Sequence, residues 1–141
     1  MRTAVDTNVL IDLLGGDQST SFHARAALEA AHARGAIVLC PVVIAELIAY
    51  PDRGEADVEA LVSAIRATVD WTLASSIWRE AGRAFAEYAV RRRRSAASHP
   101  RRLLADFVIG AHAASVGRLL TRDLGLYRAS FPQLELAPWL D

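Results

Sequence analysis

Short apolar runs alternate with longer stretches of helical periodicity, and this alternation restricts the fold more than any other feature of the chain. Thr3-Ala-Val-Asp6, Ile37-Val-Leu-Cys40, Arg118-Leu-Leu-Thr121 and Leu134-Glu-Leu-Ala137 read as strands, with Val69-Asp-Trp-Thr72 as a further short one. The segments between them read as helices. Asn8 to Leu14 stops at Gly15-Gly16, and residues 20–34 end at Gly35. A third helix starts near Pro41 and ends at Pro51. Residues 55–68 follow, with Val58, Leu61, Val62 and Ile65 on one face. Ile77, Trp78, Ala81, Phe85, Tyr88 and Ala89 keep helical spacing up to Arg91–Arg94, and residues 103–116 form an apolar helix closed by Gly117. Strands alternating with helices predict an α/β domain, with a mainly parallel sheet and helices on both faces. At 141 residues the chain is one domain, 1–141.

In such sheets ligands gather at the carboxyl ends of the strands. Asp6 ends the first predicted strand, and Asp123 lies just past the strand that ends at Thr121. Two further acids stand on helices that can line the same edge. Glu46 sits inside Pro41-Val-Val-Ile-Ala-Glu-Leu-Ile-Ala-Tyr50, and Asp106 lies between Leu103-Leu-Ala and Phe107-Val-Ile. Glu46 is therefore expected to be buried on most sides. A carboxylate there costs several kcal/mol unless a proton or a cation offsets its charge. Each acid also has an ordinary explanation: Asp6 as a helix cap, Asp106 at a helix start, Asp123 in a turn. Together they suggest more. Clustered carboxylates raise one another's pKa unless a cation binds between them. A set of oxygen ligands selects hard divalent ions, Mg²⁺ or Mn²⁺. Such ions activate water and stabilise charge on a phosphodiester under attack.

Four segments carry a family resemblance: Val5-Asp-Thr-Asn-Val-Leu-Ile-Asp12, Val43-Ile-Ala-Glu-Leu47, Ala105-Asp-Phe-Val-Ile-Gly-Ala-His-Ala113 and Leu120-Thr-Arg-Asp-Leu-Gly-Leu-Tyr-Arg128. In this order they resemble the motifs of PIN-domain proteins, and more narrowly the VapC-type toxins of bacterial toxin–antitoxin pairs. The resemblance covers essentially the whole chain. It implies a PIN-like, Rossmann-like sheet. It implies an Mg²⁺- or Mn²⁺-dependent ribonuclease whose acidic quartet is Asp6, Glu46, Asp106 and Asp123. Asp6 and Asp106 would be the first metal ligands. Glu46 would bind the metal directly or through water, and Asp123 would complete the site or hold a second ion. Thr7, Asn8 and Thr121 match the small polar positions that support such acids. The same resemblance implies an RNA substrate, a cognate antitoxin whose C-terminal segment covers the acids, and a homodimer.

The remaining features bear on rival functions. All 16 basic residues are Arg, and the formal net charge is zero. Arg91, Arg92, Arg93, Arg94, Arg101 and Arg102 fall in a stretch with no acid. They read either as a solvated helix end that complements the helix dipole or as a rim for RNA phosphates. The absence of Lys argues against a receiver domain and a P-loop nucleotide binder. Asn8 stands where a haloacid-dehalogenase-like phosphatase carries its second Asp. The alternatives kept open are a metal-dependent phosphatase and a catalytically silent PIN-fold RNA-binding or interaction module. Cys40, the single cysteine, reads as a buried structural thiol. His112, six residues after Asp106, is expected to face away from the acids, and His99 falls in a loop. Trp71, Trp78 and Trp139 read as core or interface residues. No run of about 20 uncharged apolar residues occurs, so a cytoplasmic protein without a membrane span is expected. The high apolar content predicts exposed apolar surface for partners.

Overall fold

The computed structural model describes residues 1–95 and 102–139. Five strands form one sheet: β1 (Thr3–Val5), β2 (Ile37–Leu39), β3 (Ala67–Val69), β4 (Arg118–Leu120) and β5 (Glu135–Leu136). All neighbouring pairs are parallel and the order is β3-β2-β1-β4-β5. Seven helices flank it among the described residues: α1 (Thr7–Gly15), α2 (Gln18–Arg34), α3 (Pro41–Ala49), α4 (Glu55–Ala64), α5 (Ser75–Arg94), α6 (Leu104–Val116) and α7 (Leu124–Ser130). The predicted α/β class and parallel sheet are therefore observed.

The strand order fixes where a ligand can bind. The chain runs outward from β1 through β2 to β3, then returns to place β4 on the other side of β1. Right-handed crossovers put the helices of the two halves on opposite faces. The connections leaving β1 and β4 thus diverge and open a crevice above their carboxyl ends. Both strands are buried along their length. This suits inner strands of a parallel sheet, which are covered on both faces.

α6 forms the centre of one layer. Phe107 to Ala113 are all buried, so this helix is apolar around its circumference, as a helix packed on several sides must be. It packs on β1 and β4 and lies against α5. Phe107 contacts Phe85 and Tyr88 of α5, with ring centroids 5.0 and 5.3 Å away. One turn further along, Gly110 meets Phe131, where a Cβ would come within 2.2 Å of the ring. A side chain at 110 would collide with that ring, so glycine here leaves room for Phe131, the C-cap of α7.

Three boundaries differ from the sequence expectation. The helix predicted over 55–68 ends at Ala64, because Arg66 adopts a left-handed φ of 55° that no helix continues through. Ala67 and Thr68 then open β3 instead. The strand expected at 69–72 accordingly ends at Val69. α7, seven residues long, was not anticipated at all, and Asp123 stands at its N-terminal boundary. Trp71 and Trp78 are not core residues, being 67% and 51% exposed, whereas Trp139 packs against the core. Trp71 follows the edge strand β3, whose own residues are only partly covered, and is left largely exposed. Cys40 is buried as expected, and burial pushes its thiol up to about 11, which makes it unreactive at neutral pH.

Candidate functional site

Asp6 is where the crevice is built. Its backbone N–H still belongs to the sheet, donating to the Leu120 carbonyl at 2.9 Å. One residue later α1 begins, and Asp6 is its N-cap. Oδ1 accepts the Thr7 N–H at 2.7 Å. Capping therefore engages only one of the two carboxylate oxygens. Oδ2 accepts from the Thr121 hydroxyl at 2.8 Å, the Tyr127 hydroxyl at 3.0 Å and the Asn8 amide at 3.3 Å. The side chain is held from α1, the exit of β4 and α7 at once.

Such a set of donors would normally depress a carboxyl pKa. Here burial outweighs them: Asp6 is only 6% exposed, and its pKa is raised from 3.8 to about 6, with the Asp106 charge adding to the rise. The Tyr127 hydroxyl is driven far above its ordinary value, chiefly by burial and then by the Asp6, Asp106 and Asp123 charges. It stays a neutral donor to Asp6 at any physiological pH.

The other acids surround this centre. Glu46 is half-buried rather than enclosed, because Ala45, Ile48 and Ala49 on the same helix face solvent. Its Oε1 accepts the Thr7 hydroxyl at 2.6 Å, so Thr7 links Glu46 to Asp6. Asp106, also half-buried, lies in the first turn of α6 and accepts the Leu103 N–H at 3.1 Å. Asp123 donates its backbone N–H to Thr121 Oγ1 at 3.0 Å. Its carboxylate is taken by Arg102, with Nη1 to Oδ2 at 2.5 Å and Nη2 to Oδ1 at 3.3 Å. All four predicted acids therefore lie at one end of the sheet, and Thr7, Asn8 and Thr121 are hydrogen-bonded among them. Among the described residues no three His, Cys, Asp or Glu side chains are grouped tightly enough to enclose an ion by themselves.

Two residues escaped the sequence reading. Tyr127 is fully buried and bonded to Asp6, yet looks in sequence like an ordinary core aromatic. Only its placement on α7, four residues after Asp123, could have suggested it. Asp12 is buried and ion-paired with Arg122, whose guanidinium lies 5.9 Å from the Trp139 ring. Asn8, Ile11, Asp12, Arg122 and Asp123 line a groove of about 320 Å³ beside the acids. A larger cleft of about 520 Å³, lined by Leu13, Leu28, Leu61 and Ile65 among others, contains none of the four acids.

Of the basic stretch, Arg91 donates to Ser130 at 3.2 Å, Arg91 and Arg92 are half-buried, and Arg93 and Arg94 are exposed. Arg101 and His99 lie outside the described residues. His112 is buried on α6 with Nε2 2.9 Å from Asp70 Oδ2, away from the four acids as expected. No described helix is long and apolar enough to cross a membrane.

A doubly wound parallel sheet with carboxylates converging at its switch point defines the class of the protein. A PIN domain model matches residues 3–132, and the chain belongs to the PIN domain family. Solved structures with the same fold include VapBC2 from Rickettsia felis bound to a DNA fragment from its promoter, with a TM-score of 0.68, 15% identity and coverage of 99% of this chain and 100% of that one. VapBC-1 from nontypeable Haemophilus influenzae has a TM-score of 0.63 and 20% identity, with 99% and 98% covered. FitAcB from Neisseria gonorrhoeae has a TM-score of 0.62 and 17% identity, with 96% of both chains covered. At these identities the likeness is one of fold. No curated protein matches in sequence.

Proposed function

We propose that the protein is a metal-dependent endoribonuclease, the toxin of a toxin–antitoxin pair. The observation that carries this reading is Asp6: a buried carboxylate with a raised pKa, facing a second acid, at the switch point of the sheet. A cation between Asp6 and Asp106 would relieve both the desolvation and the repulsion. The donor set fits Mg²⁺ or Mn²⁺. Mg²⁺ keeps several waters and is commonly held by one or two carboxylates, so a cage of three acids is not required. Half-exposed Glu46 and Asp106 leave room for those waters and for a phosphate.

When bound, the metal would supply a water acidic enough to attack a phosphodiester and would stabilise the charge that develops. The chain's own residues do the rest. Asp6 and Asp106 would hold the ion. Glu46, oriented by the Thr7 hydroxyl, accepts a proton from the attacking water. Asn8, Thr121 and Tyr127 fix the Asp6 carboxylate, so it need not reorganise when charge develops. Asp123 is a further acid for this site. The groove beside Arg122 is open to a strand of RNA, with exposed Arg93 and Arg94 as candidate phosphate contacts and half-buried Arg91, Arg92 and Arg102 as weaker ones.

An antitoxin partner is supported by the VapBC neighbours, which are toxin–antitoxin complexes. Exposed Phe22, Ile48, Trp71, Trp78, Leu103 and Leu104 provide apolar surface for that partner and for a homodimer in the cytoplasm.

The deciding assay is cleavage of a panel of RNAs with Mg²⁺, with Mn²⁺ and with EDTA, comparing wild type with Asp6→Asn and Asp106→Asn. Metal-dependent cleavage lost in both variants is expected. No cleavage under any condition, or equal cleavage by the variants, removes the nuclease reading and favours a binding module.

A further inference from the structure

Asp123 is an acid of the proposed metal site, yet both its oxygens are already engaged. Arg102 meets them fork to fork, at 2.5 and 3.3 Å. This is the geometry in which a guanidinium replaces a cation most completely, since two parallel bonds neutralise the whole carboxylate. The arginine is held at its root as well. Its backbone N–H donates to the Tyr88 hydroxyl at 2.7 Å, which ties the entry of α6 to α5. On the other side, the Asp123 N–H rests on Thr121 Oγ1, and the same hydroxyl donates to Asp6. The guanidinium therefore spans from the chain entering α6, four residues before Asp106, to the start of α7. These are the elements that carry two of the four acids.

We propose that Arg102 is a tethered cation that competes with the divalent ion for Asp123. The inference rests on the metal-site reading above and adds to it a residue that opposes metal binding. An ion approaching Asp123 meets a positive charge and two occupied oxygens. It must either displace the guanidinium or bind without Asp123. The pair is only partly shielded, with side-chain exposures of 26% and 29%. A pair of that kind shifts an equilibrium by up to about fivefold. It is therefore weak enough for a divalent ion to displace. Half-occupancy would then require a higher metal concentration than the four acids alone would set.

The test is calorimetric titration of the metal-free protein with MnCl₂, with no RNA present, on wild type, Arg102→Met, Arg102→Lys, Asp123→Asn and the Arg102→Met/Asp123→Asn double variant. Arg102→Met keeps the backbone bond to Tyr88, and its melting curve in EDTA checks that it folds. We expect Mn²⁺ to bind about fivefold more tightly to Arg102→Met. Arg102→Lys should fall between the two, because it keeps the charge and loses the fork. In the Asp123→Asn background, removing Arg102 should change the affinity little. The inference is overturned if Arg102→Met binds Mn²⁺ equally or less tightly, or if the gain persists without Asp123. Asp6→Asn separates the two levels. If it abolishes binding while Arg102→Met changes nothing, the metal site stands and only the role of Arg102 falls. If Asp6→Asn binds Mn²⁺ as wild type does, both fall together.

Discussion

Replacing Asp6 by Asn should stabilise the metal-free protein at neutral pH, although it removes the centre of the hydrogen-bond network. The folded-state pKa of Asp6 is raised from 3.8 to about 6. Between those values the native state holds a proton that the unfolded chain releases. The stability Asp6 contributes is therefore full below about pH 4 and is lost as pH rises through about 6. At about 1.36 kcal/mol per pKa unit, a shift of roughly two units makes that loss about 3 kcal/mol. Asn carries no charge to desolvate and avoids most of the loss. Its Oδ1 can still accept the Thr7 N–H, but its Nδ2 would meet the Tyr127 and Thr121 hydroxyls, which now donate to Asp6. Those hydroxyls must turn and accept instead, a mismatch of about 1–2 kcal/mol. The expected net gain at pH 7.5 is about 1–2 kcal/mol. Urea denaturation in EDTA at pH 4.5, 5.5, 6.5 and 7.5 measures it for both proteins, and the difference cancels every titrating group they share. Wild type should lose stability relative to the variant across about pH 4–6 and hold a constant difference above that. A variant less stable than wild type at pH 7.5, or parallel pH profiles, would show that the Asp6 anion carries no net cost of burial. The argument for a cation at this position would then lose its basis.

Three further outcomes follow from the same geometry. Glu46→Gln should abolish most RNA cleavage while the metal-free fold keeps its melting temperature or gains slightly, because Gln can still accept the Thr7 hydroxyl; a cleavage assay beside a thermal melt checks both halves. Tyr127→Phe should cost about 1–1.5 kcal/mol in urea denaturation at pH 7.5, since it removes the donor 3.0 Å from Asp6 Oδ2 and leaves that anion less satisfied; unchanged stability would make Tyr127 a packing residue only. Gly110→Ala should destabilise by about 1–3 kcal/mol, because its Cβ would stand 2.2 Å from the buried Phe131 ring, and a stable variant with native spectra would mean that the ring moves freely.

The sequence was most legible where one physical rule decided the outcome. Buried parallel strands are short and apolar, and glycines or prolines punctuate their helices, so the element order followed from Ile37–Leu39, Gly35 and Gly117. The acids at strand ends were legible for the same reason, since a parallel sheet brings such positions together. What escaped was set by contacts between distant segments. Arg66 adopts a left-handed conformation that ends α4 early, which no composition signals. Glu46 looked enclosed because its neighbours are apolar, yet a helix on the surface exposes part of any apolar run. The short α7 lacked enough turns to show a period, and with it went the Tyr127 bond to Asp6, which joins residues 121 apart.

Tyr127 and Arg102 bear on one physical question: what holds the charge at the switch point before any ion arrives. Asp6 relies on four donors and still titrates near pH 6. Asp123 instead has a cation of its own in Arg102. Neighbouring acids thus meet the same cost by different means, one by favouring a proton and the other by an ion pair. That asymmetry makes the two acids separable in experiment. Occupation of the site at Asp6 should release protons below about pH 6, whereas occupation at Asp123 should displace an arginine and release none. Calorimetric Mn²⁺ titrations in buffers of different ionisation enthalpy count those protons directly. If proton release at pH 5.5 equals that at pH 7.5, the ion is not held by Asp6.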